Sequence, residues 1–331
     1  MIRLAINGYG RIGRSVLRAL YESGRRRTMQ VVAINEPADL ATVAHLTRYD
    51  TTHGRFPGSV EVSGDDLVVN GDRIQVTHAT ELEQLQWADI DVVLECSGRY
   101  GTPAELAVHL QAGARRVLLS QPGASDLPVV VYGINHQSVQ PWQTILSTGS
   151  CTTNCVVPVI KTLDDAFGIS EGVTTTIHSS MNDQPVLDAY HNTDLRKTRA
   201  AGQSIIPVET ELGSGIGRLL PALAGRFVSH ALRVPTLNVS AIQLSVNMRQ
   251  PISTERVNSV LREAAAGGLA DVLGYTEEPL ASCDFNHDSR SGIVDASQTR
   301  VVGPLANVLI WFDNEWAYAN RMLDVVACWT A

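Results

Sequence analysis

The sequence predicts an α/β protein in two parts: an N-terminal doubly wound parallel sheet, then an α+β domain with a mixed, mostly antiparallel sheet. Three observations carry this. The first 35 residues read as strand, glycine turn, helix, strand. Short apolar runs at Val92-Val93-Leu94 and Val117-Leu118-Leu119 look like further buried strands of a parallel sheet. Past residue 150 the pattern shifts to longer alternating runs, at 228–234 and 238–248, which suit antiparallel pairing.

Residues 2–7 alternate apolar and polar before Gly8-Tyr9-Gly10-Arg11-Ile12-Gly13. Ile12, Val16 and Leu20 then recur at helical spacing, with Gly24 placed to end the helix, and Val31–Ile34 forms the next strand. Gly-x-Gly-x-x-Gly between a strand and a helix has a mechanism: a tight turn, backbone approach to a pyrophosphate, and close helix packing. Glu36 follows the second strand, where a carboxylate bonds ribose hydroxyls and repels a 2′-phosphate. The expectation is a Rossmann domain over 1–150 that binds NAD. From Cys151 the chain begins a second, catalytic and substrate-binding domain, 151–314, with a helix over Val156–Phe167 and a strand around Val173–Ile177. A polar stretch, 178–204, follows. A last helix, about 315–331, is expected to pack back on the first domain.

With 331 residues, 44% of them hydrophobic and 18% charged, the chain can bury two cores. No apolar run reaches the roughly 20 residues a membrane span requires, and a strand pattern begins at once, leaving no room for a leader. Net charge is −8 without a basic run, which argues against a nucleic-acid partner. Five cysteines, Cys96, Cys151, Cys155, Cys283 and Cys328, are too few and too odd for a disulfide framework and fit a reducing cytoplasm. Their spacing completes no metal site.

Ser150-Cys151-Thr152-Thr153-Asn154-Cys155 lies just before helical periodicity, where a helix dipole and free N–H groups favour a thiolate. That marks Cys151 as a nucleophile, and Cys155 as a buried apolar residue. Among nine histidines, His178 ends a strand, where catalytic groups collect at a cofactor crevice. Position alone does not separate it from a structural histidine.

Five segments appear in the order found in the glyceraldehyde-3-phosphate dehydrogenase family: Asn7–Arg14, Ser150–Cys155, His178, Arg233-Val-Pro-Thr236 and Trp311–Trp316. The chain resembles that family from about residue 2 to 326. The resemblance implies Cys151 as nucleophile and His178 as its base, with a thioester formed as NAD is reduced. It implies cofactor contacts from Gly8, Gly10, Arg11, Ile12, Gly13, Glu36, Ser97, Gly98, Ser120, Asn314 and Tyr318. It implies substrate contacts from Ser150, Thr152, Lys197, Thr210, Glu211 and Arg233, with Arg233 on the phosphate of a small phosphorylated aldose. The 178–204 stretch resembles the loop that packs between subunits in the family's homotetramer.

Several positions depart from the common glycolytic pattern. Met181 stands where a threonine is usual, Glu211 where a glycine offers its N–H to inorganic phosphate, and Lys197 where an arginine is usual. A carboxylate at 211 disfavours an attacking phosphate and leaves water as acyl acceptor. With Tyr21–Arg25, Ser204–Val208 and Asp284–Asp288, these features resemble the branch of the family that oxidises D-erythrose 4-phosphate for pyridoxal phosphate synthesis. The alternatives are a phosphorylating glycolytic enzyme, separable by phosphate dependence, and an NAD-binding regulatory protein, separable by a Cys151 that fails to react.

Overall fold

The structure is a computed structural model and describes residues 1–330. The chain divides into two compact units, Met1–Ser150 with residues 318–330, and Cys151–Ala317. In the first unit, β1 (Ile2–Asn7), α1 (Arg11–Glu22) and β2 (Met29–Asn35) make the opening βαβ unit. Leu4, Ala5 and Ile6 are all fully buried, as in a strand covered on both faces. Then come α2 (Leu40–Arg48), the ribbon β3 (Tyr49–Asp50) and β4 (Gly54–Arg55), and the strands β5 (Val60–Ser63), β6 (Asp66–Val69) and β7 (Asp72–Thr77). β8 (Val92–Glu95), α3 (Pro103–Gln111), β9 (Val117–Leu119) and β10 (Ile145–Ser147) complete it. α3 opens with Pro103 in its first turn and a capping box between Thr102 and Glu105.

The sheet order is β10-β9-β8-β1-β2-β7-β6-β5. From β10 to β7 the neighbours run parallel, and β6 and β5 extend that edge antiparallel. This is the doubly wound sheet expected, and its order turns outward in both directions from β1, so the crevice beyond the strand ends lies at β1, β2 and β8.

The second unit opens with α4 (Cys151–Phe167) and β11 (Ile169–His178). β12 (Ile206–Val208), α5 (Leu212–Leu219), β13 (Phe227–Arg233), β14 (Ser240–Met248) and α6 (Thr254–Ala266) follow. β15 (Leu273–Thr276), β16 (Gly292–Val302), β17 (Leu305–Phe312) and α7 (Trp316–Trp329) close the chain. The sheet order is β12-β13-β11-β14-β17-β16-β15. Four of its six pairings are antiparallel and two, β11–β13 and β15–β16, are parallel, giving the mixed sheet expected. α4 begins at Cys151, five residues before the start read from periodicity, and carries Pro158 inside it. Proline removes a helical N–H and reads as a breaker, yet Val156, Val157, Val159 and Ile160 around it are fully buried, so packing holds the helix through. The 178–204 segment has only two 3-10 turns, Leu195–Thr198 and Ala201–Gln203.

Residues 318–330 are tied into the first unit. Arg25 Nη1 donates to Asn320 Oδ1 at 2.9 Å, and Trp329 Nε1 donates to the Gln143 carbonyl at 3.1 Å. Among the described residues no helix is long and apolar enough to cross a membrane. None of their His, Cys, Asp and Glu side chains gather in threes to hold a metal.

Candidate active site

The first unit presents a cleft of about 270 Å³ lined by Asn7, Gly8, Gly10, Glu36, Cys96 and Ser97 among others. That is near the lower end of ligand-pocket sizes, roughly 300 Å³, and suits part of a dinucleotide. Gly8 has φ +87°, and a Cβ there would sit 2.4 Å from Ser97 Cα. A Cβ on Gly13 would sit 2.4 Å from the Gly8 carbonyl oxygen. These two glycines are steric necessities of the turn. Gly10 differs: it is exposed, and a Cβ on it would meet nothing within 4 Å. The space beside it is open to a phosphate, and no side chain caps the α1 N-terminus that it precedes.

Glu36 lies on the cleft wall, its carboxylate accepting from the Tyr9 N–H at 2.9 Å and the Ala38 N–H at 3.3 Å. Both bonds orient it while leaving lone pairs for ribose hydroxyls. Arg11 and Ile12 form the first turn of α1 and are not among the residues lining the cleft, and the Arg11 guanidinium is held by Asp50. Arg11 and the His53 and Thr52 N–H groups hold the Asp50 carboxyl well below its ordinary range, against the burial that would raise it.

Beneath the cleft lies a network that the sequence did not disclose. Glu95, at the end of β8, is fully buried. Its Oε1 accepts from Ser97 N–H (2.8 Å) and Ser97 Oγ (2.5 Å), and its Oε2 from Asn7 Nδ2 (2.6 Å) and His109 Nε2 (2.9 Å). Trp87 Nε1 donates to His109 Nδ1 at 2.9 Å, so this buried histidine is satisfied as the neutral Nε2–H tautomer. Asn7 Oδ1 accepts in turn from Asn35 Nδ2 at 2.9 Å. The strand ends β1, β2 and β8 are thus fastened to one buried carboxylate. Gly98 (φ +71°) follows Ser97 and is exposed, and the Ser120 N–H donates to the Glu95 carbonyl at 3.0 Å. Tyr318 is only 3% exposed, and its hydroxyl donates to the Gly149 carbonyl at 2.8 Å.

In the second unit, Cys151 is the first residue of α4 and half-buried. Its Sγ lies 3.7 Å from His178 Nε2. His178 Nδ1 is 2.8 Å from the Ser179 carbonyl, which must be accepting, so the proton sits on Nδ1 and the Nε2 lone pair faces the sulfur. Burial pushes the Cys151 thiol up to about 12, opposed by the Thr152 and Cys151 N–H groups at the helix start. Burial also depresses His178 below its ordinary value, with the Arg233 charge acting in the same direction. Both shifts run toward a thiol facing a neutral imidazole.

Strand pairing places the rest. β11 and β13 run parallel in a register that sets His178 beside Arg233. The Arg233 side chain is 9% exposed and contacts Asp183 at 2.5 Å, while Lys197 Nζ contacts the other oxygen of Asp183 at 3.0 Å. Asp183 thus bridges Arg233 and Lys197. Lys197 and Arg233 hold its carboxyl below the usual range, although burial alone would raise it. Met181 is exposed, and its N–H donates to Gln184 Oε1 at 3.1 Å.

Thr210 and Glu211 precede α5, and the Leu212 N–H donates to Thr210 Oγ1 at 3.3 Å. A Cβ on Gly215 of α5 would come 3.5 Å from Thr153 Oγ1, so α5 packs on the first turn of α4, where Thr152 also lies. Glu211 is exposed at the start of α5. Ser150, immediately before the nucleophile, is half-buried. Asn314 follows β17, and its Oδ1 accepts from Ser179 Oγ at 3.0 Å and Ser240 Oγ at 2.9 Å. Ser179, Asp183, Ser240 and Glu95 were missed from sequence. The only signal was chain proximity of Ser179 and Asp183 to His178.

Residues 2–103 match the family model described as glyceraldehyde 3-phosphate dehydrogenase, NAD binding domain. Residues 150–314 match the one described as glyceraldehyde 3-phosphate dehydrogenase, C-terminal domain.

Proposed function

Because the chain belongs to the glyceraldehyde 3-phosphate dehydrogenase family and is an NAD-dependent dehydrogenase, we propose that it oxidises D-erythrose 4-phosphate to 4-phosphoerythronate. The domains we assign are 1–150 for the cofactor and 151–314 for catalysis, with the last helix serving the first. The observation that carries the chemistry is Cys151 Sγ at 3.7 Å from an imidazole nitrogen with a free lone pair.

His178 Nε2 takes the thiol proton as Sγ attacks the aldehyde carbon, leaving a hemithioacetal on Cys151. Bound NAD supplies the hydride acceptor that converts this adduct to a thioester. The Cys151 N–H, at the positive end of α4, donates to the oxyanion. Arg233 fixes the substrate phosphate with its planar fork, exchanging Asp183 for it, and Lys197 adds charge beside it. Ser150, Thr152 and Thr210 supply hydroxyls to the substrate. Once His178 has passed its proton to solvent, its Nε2 takes a proton from water as the water attacks the thioester carbon, and it returns that proton to the departing Cys151 sulfur, giving the acid and the thiol.

Glu211 supports water over phosphate as acceptor. Its carboxylate stands at the start of α5, where an N–H would otherwise bind an anion, and it repels a dianion. Screening by solvent makes this repulsion modest. A homotetramer is supported by apolar surface: Val186, Leu187, Tyr190 and Leu195 in the 178–204 segment are each at least 77% exposed. Val173 of β11 and Val228 of β13 are also exposed on the sheet. Exposed apolar side chains along one segment are what a subunit contact would cover.

NADH formation with erythrose 4-phosphate and with glyceraldehyde 3-phosphate, each with and without inorganic phosphate, tests the assignment. Faster, phosphate-independent turnover of the four-carbon aldehyde is expected. Strictly phosphate-dependent oxidation of the three-carbon aldehyde would return the enzyme to the glycolytic alternative.

A further inference from the structure

We propose that Ser179 and Ser240 are positioning residues that fix the hydrogen-bond polarity of Asn314, so that its amide N–H₂ is the end presented to the cofactor. This rests on the reading of Asn314 as a cofactor contact. Ser179 is fully buried and Ser240 is 1% exposed. Ser240 Oγ accepts from the Ser179 N–H at 3.0 Å and donates its single proton to Asn314 Oδ1 at 2.9 Å. Ser179 Oγ donates its own proton to the same oxygen at 3.0 Å.

Flipping the amide would turn Nδ2 toward two hydroxyls and strand both of their protons in a buried site, a cost that selects the orientation seen. With Oδ1 doubly occupied, Nδ2 remains, with no partner among the described residues and not sealed from solvent. A donor at that place recognises a carbonyl oxygen, the chemistry of the nicotinamide carboxamide. The loop that carries Asn314 is itself pinned. Asp313 is fully buried and accepts from Asn238 Nδ2 and from the N–H groups of His287, Glu315 and Trp316.

Ser179 faces two ways. Its side chain orients Asn314, and its carbonyl holds His178 Nδ1 at 2.8 Å. Ser240 reaches both, through Asn314 Oδ1 and through the Ser179 N–H. The two substitutions therefore predict different results. Ser179→Ala removes only the side-chain bond. Ser240→Ala also frees the N–H of Ser179, the residue whose carbonyl sets the imidazole.

Calorimetric titration of the full-length protein with NAD and with ADP-ribose, which lacks nicotinamide, separates the cases. One hydrogen bond is worth roughly 2- to 10-fold in binding. Ser179→Ala and Ser240→Ala should each weaken NAD by about that factor and leave ADP-ribose unchanged. Iodoacetamide alkylation of Cys151 in the cofactor-free protein should keep its pH profile in Ser179→Ala and shift it in Ser240→Ala. Equal loss of NAD and ADP-ribose would overturn the proposal, since the serines would then be general structural supports. Selective NAD loss in Asn314→Ala with no loss in either serine variant would overturn it while the Asn314 contact stands. No NAD loss in Asn314→Ala would remove that contact, and the proposal with it.

Discussion

The glycine loop before α1 and the cysteine turn that opens α4 are both helix N-termini, and they serve opposite ends. At Gly10 the useful property is a missing side chain: the backbone is exposed and a Cβ would meet nothing. At Cys151 the useful property is a side chain held half-buried against a histidine. The first kind of site is written in local spacing, because the turn needs glycine where φ is +87° and where a Cβ would strike backbone. The second depends on partners 27 and more residues away, brought in by strand register.

The largest effect expected from breaking this contrast is at the thiol. Cys151→Ala should abolish NADH formation, and His178→Asn should lower kcat by roughly 10²–10⁴-fold, while calorimetry shows NAD affinity intact in both. Loss of NAD binding in either variant would show that the two helix starts are not separate devices.

The glycines sharpen the comparison within one loop. Gly8→Ala should cost more than about 1 kcal/mol of stability, since the residue is left-handed and its Cβ collides with Ser97. Gly10→Ala should leave the melting temperature in place and weaken NAD binding, because the added methyl enters only the cleft. Thermal melts beside NAD titrations check both.

A smaller effect is expected at the cation pair. Arg233→Lys keeps the charge but loses the planar fork, so KM for a phosphorylated aldehyde should rise roughly tenfold, with an unphosphorylated aldehyde unaffected. Equal losses for both aldehydes would place Arg233 in support of His178 and not on phosphate.

The smallest effect is a shift in pH. His178 lies below its ordinary value through burial first and the Arg233 charge second. The neutral base therefore persists below the usual histidine range, of about 6.5, and the acid limb of kcat/KM should fall under that value. In Arg233→Gln the limb should move up towards it. A limb above the ordinary value would mean that a nearby carboxylate dominates the base.

Much of the fold was legible. The βαβ opening, the parallel strands and the change to a mixed sheet past residue 150 follow from apolar periodicity, which packing preserves. The start of α4 was not, because Thr152, Thr153 and Asn154 give its first turn no apolar periodicity, although Thr153 and Asn154 are buried. The site was legible where one residue needs a special backbone or a helix start. It was not at Asp183, Ser240 or Glu95, whose parts come from side-chain bonds to Arg233, Asn314 and Asn7, residues 50 or more positions away. No local pattern records such pairs.

The central claim is that oxidation runs through an acyl group on Cys151. The direct measurement is acid quenching of the enzyme within one turnover of erythrose 4-phosphate and NAD, followed by peptide mass analysis. The account predicts a Cys151 peptide heavier by the aldehyde less two hydrogens, appearing with the first NADH and decaying without phosphate. NADH formed at full rate with that peptide unmodified would contradict it.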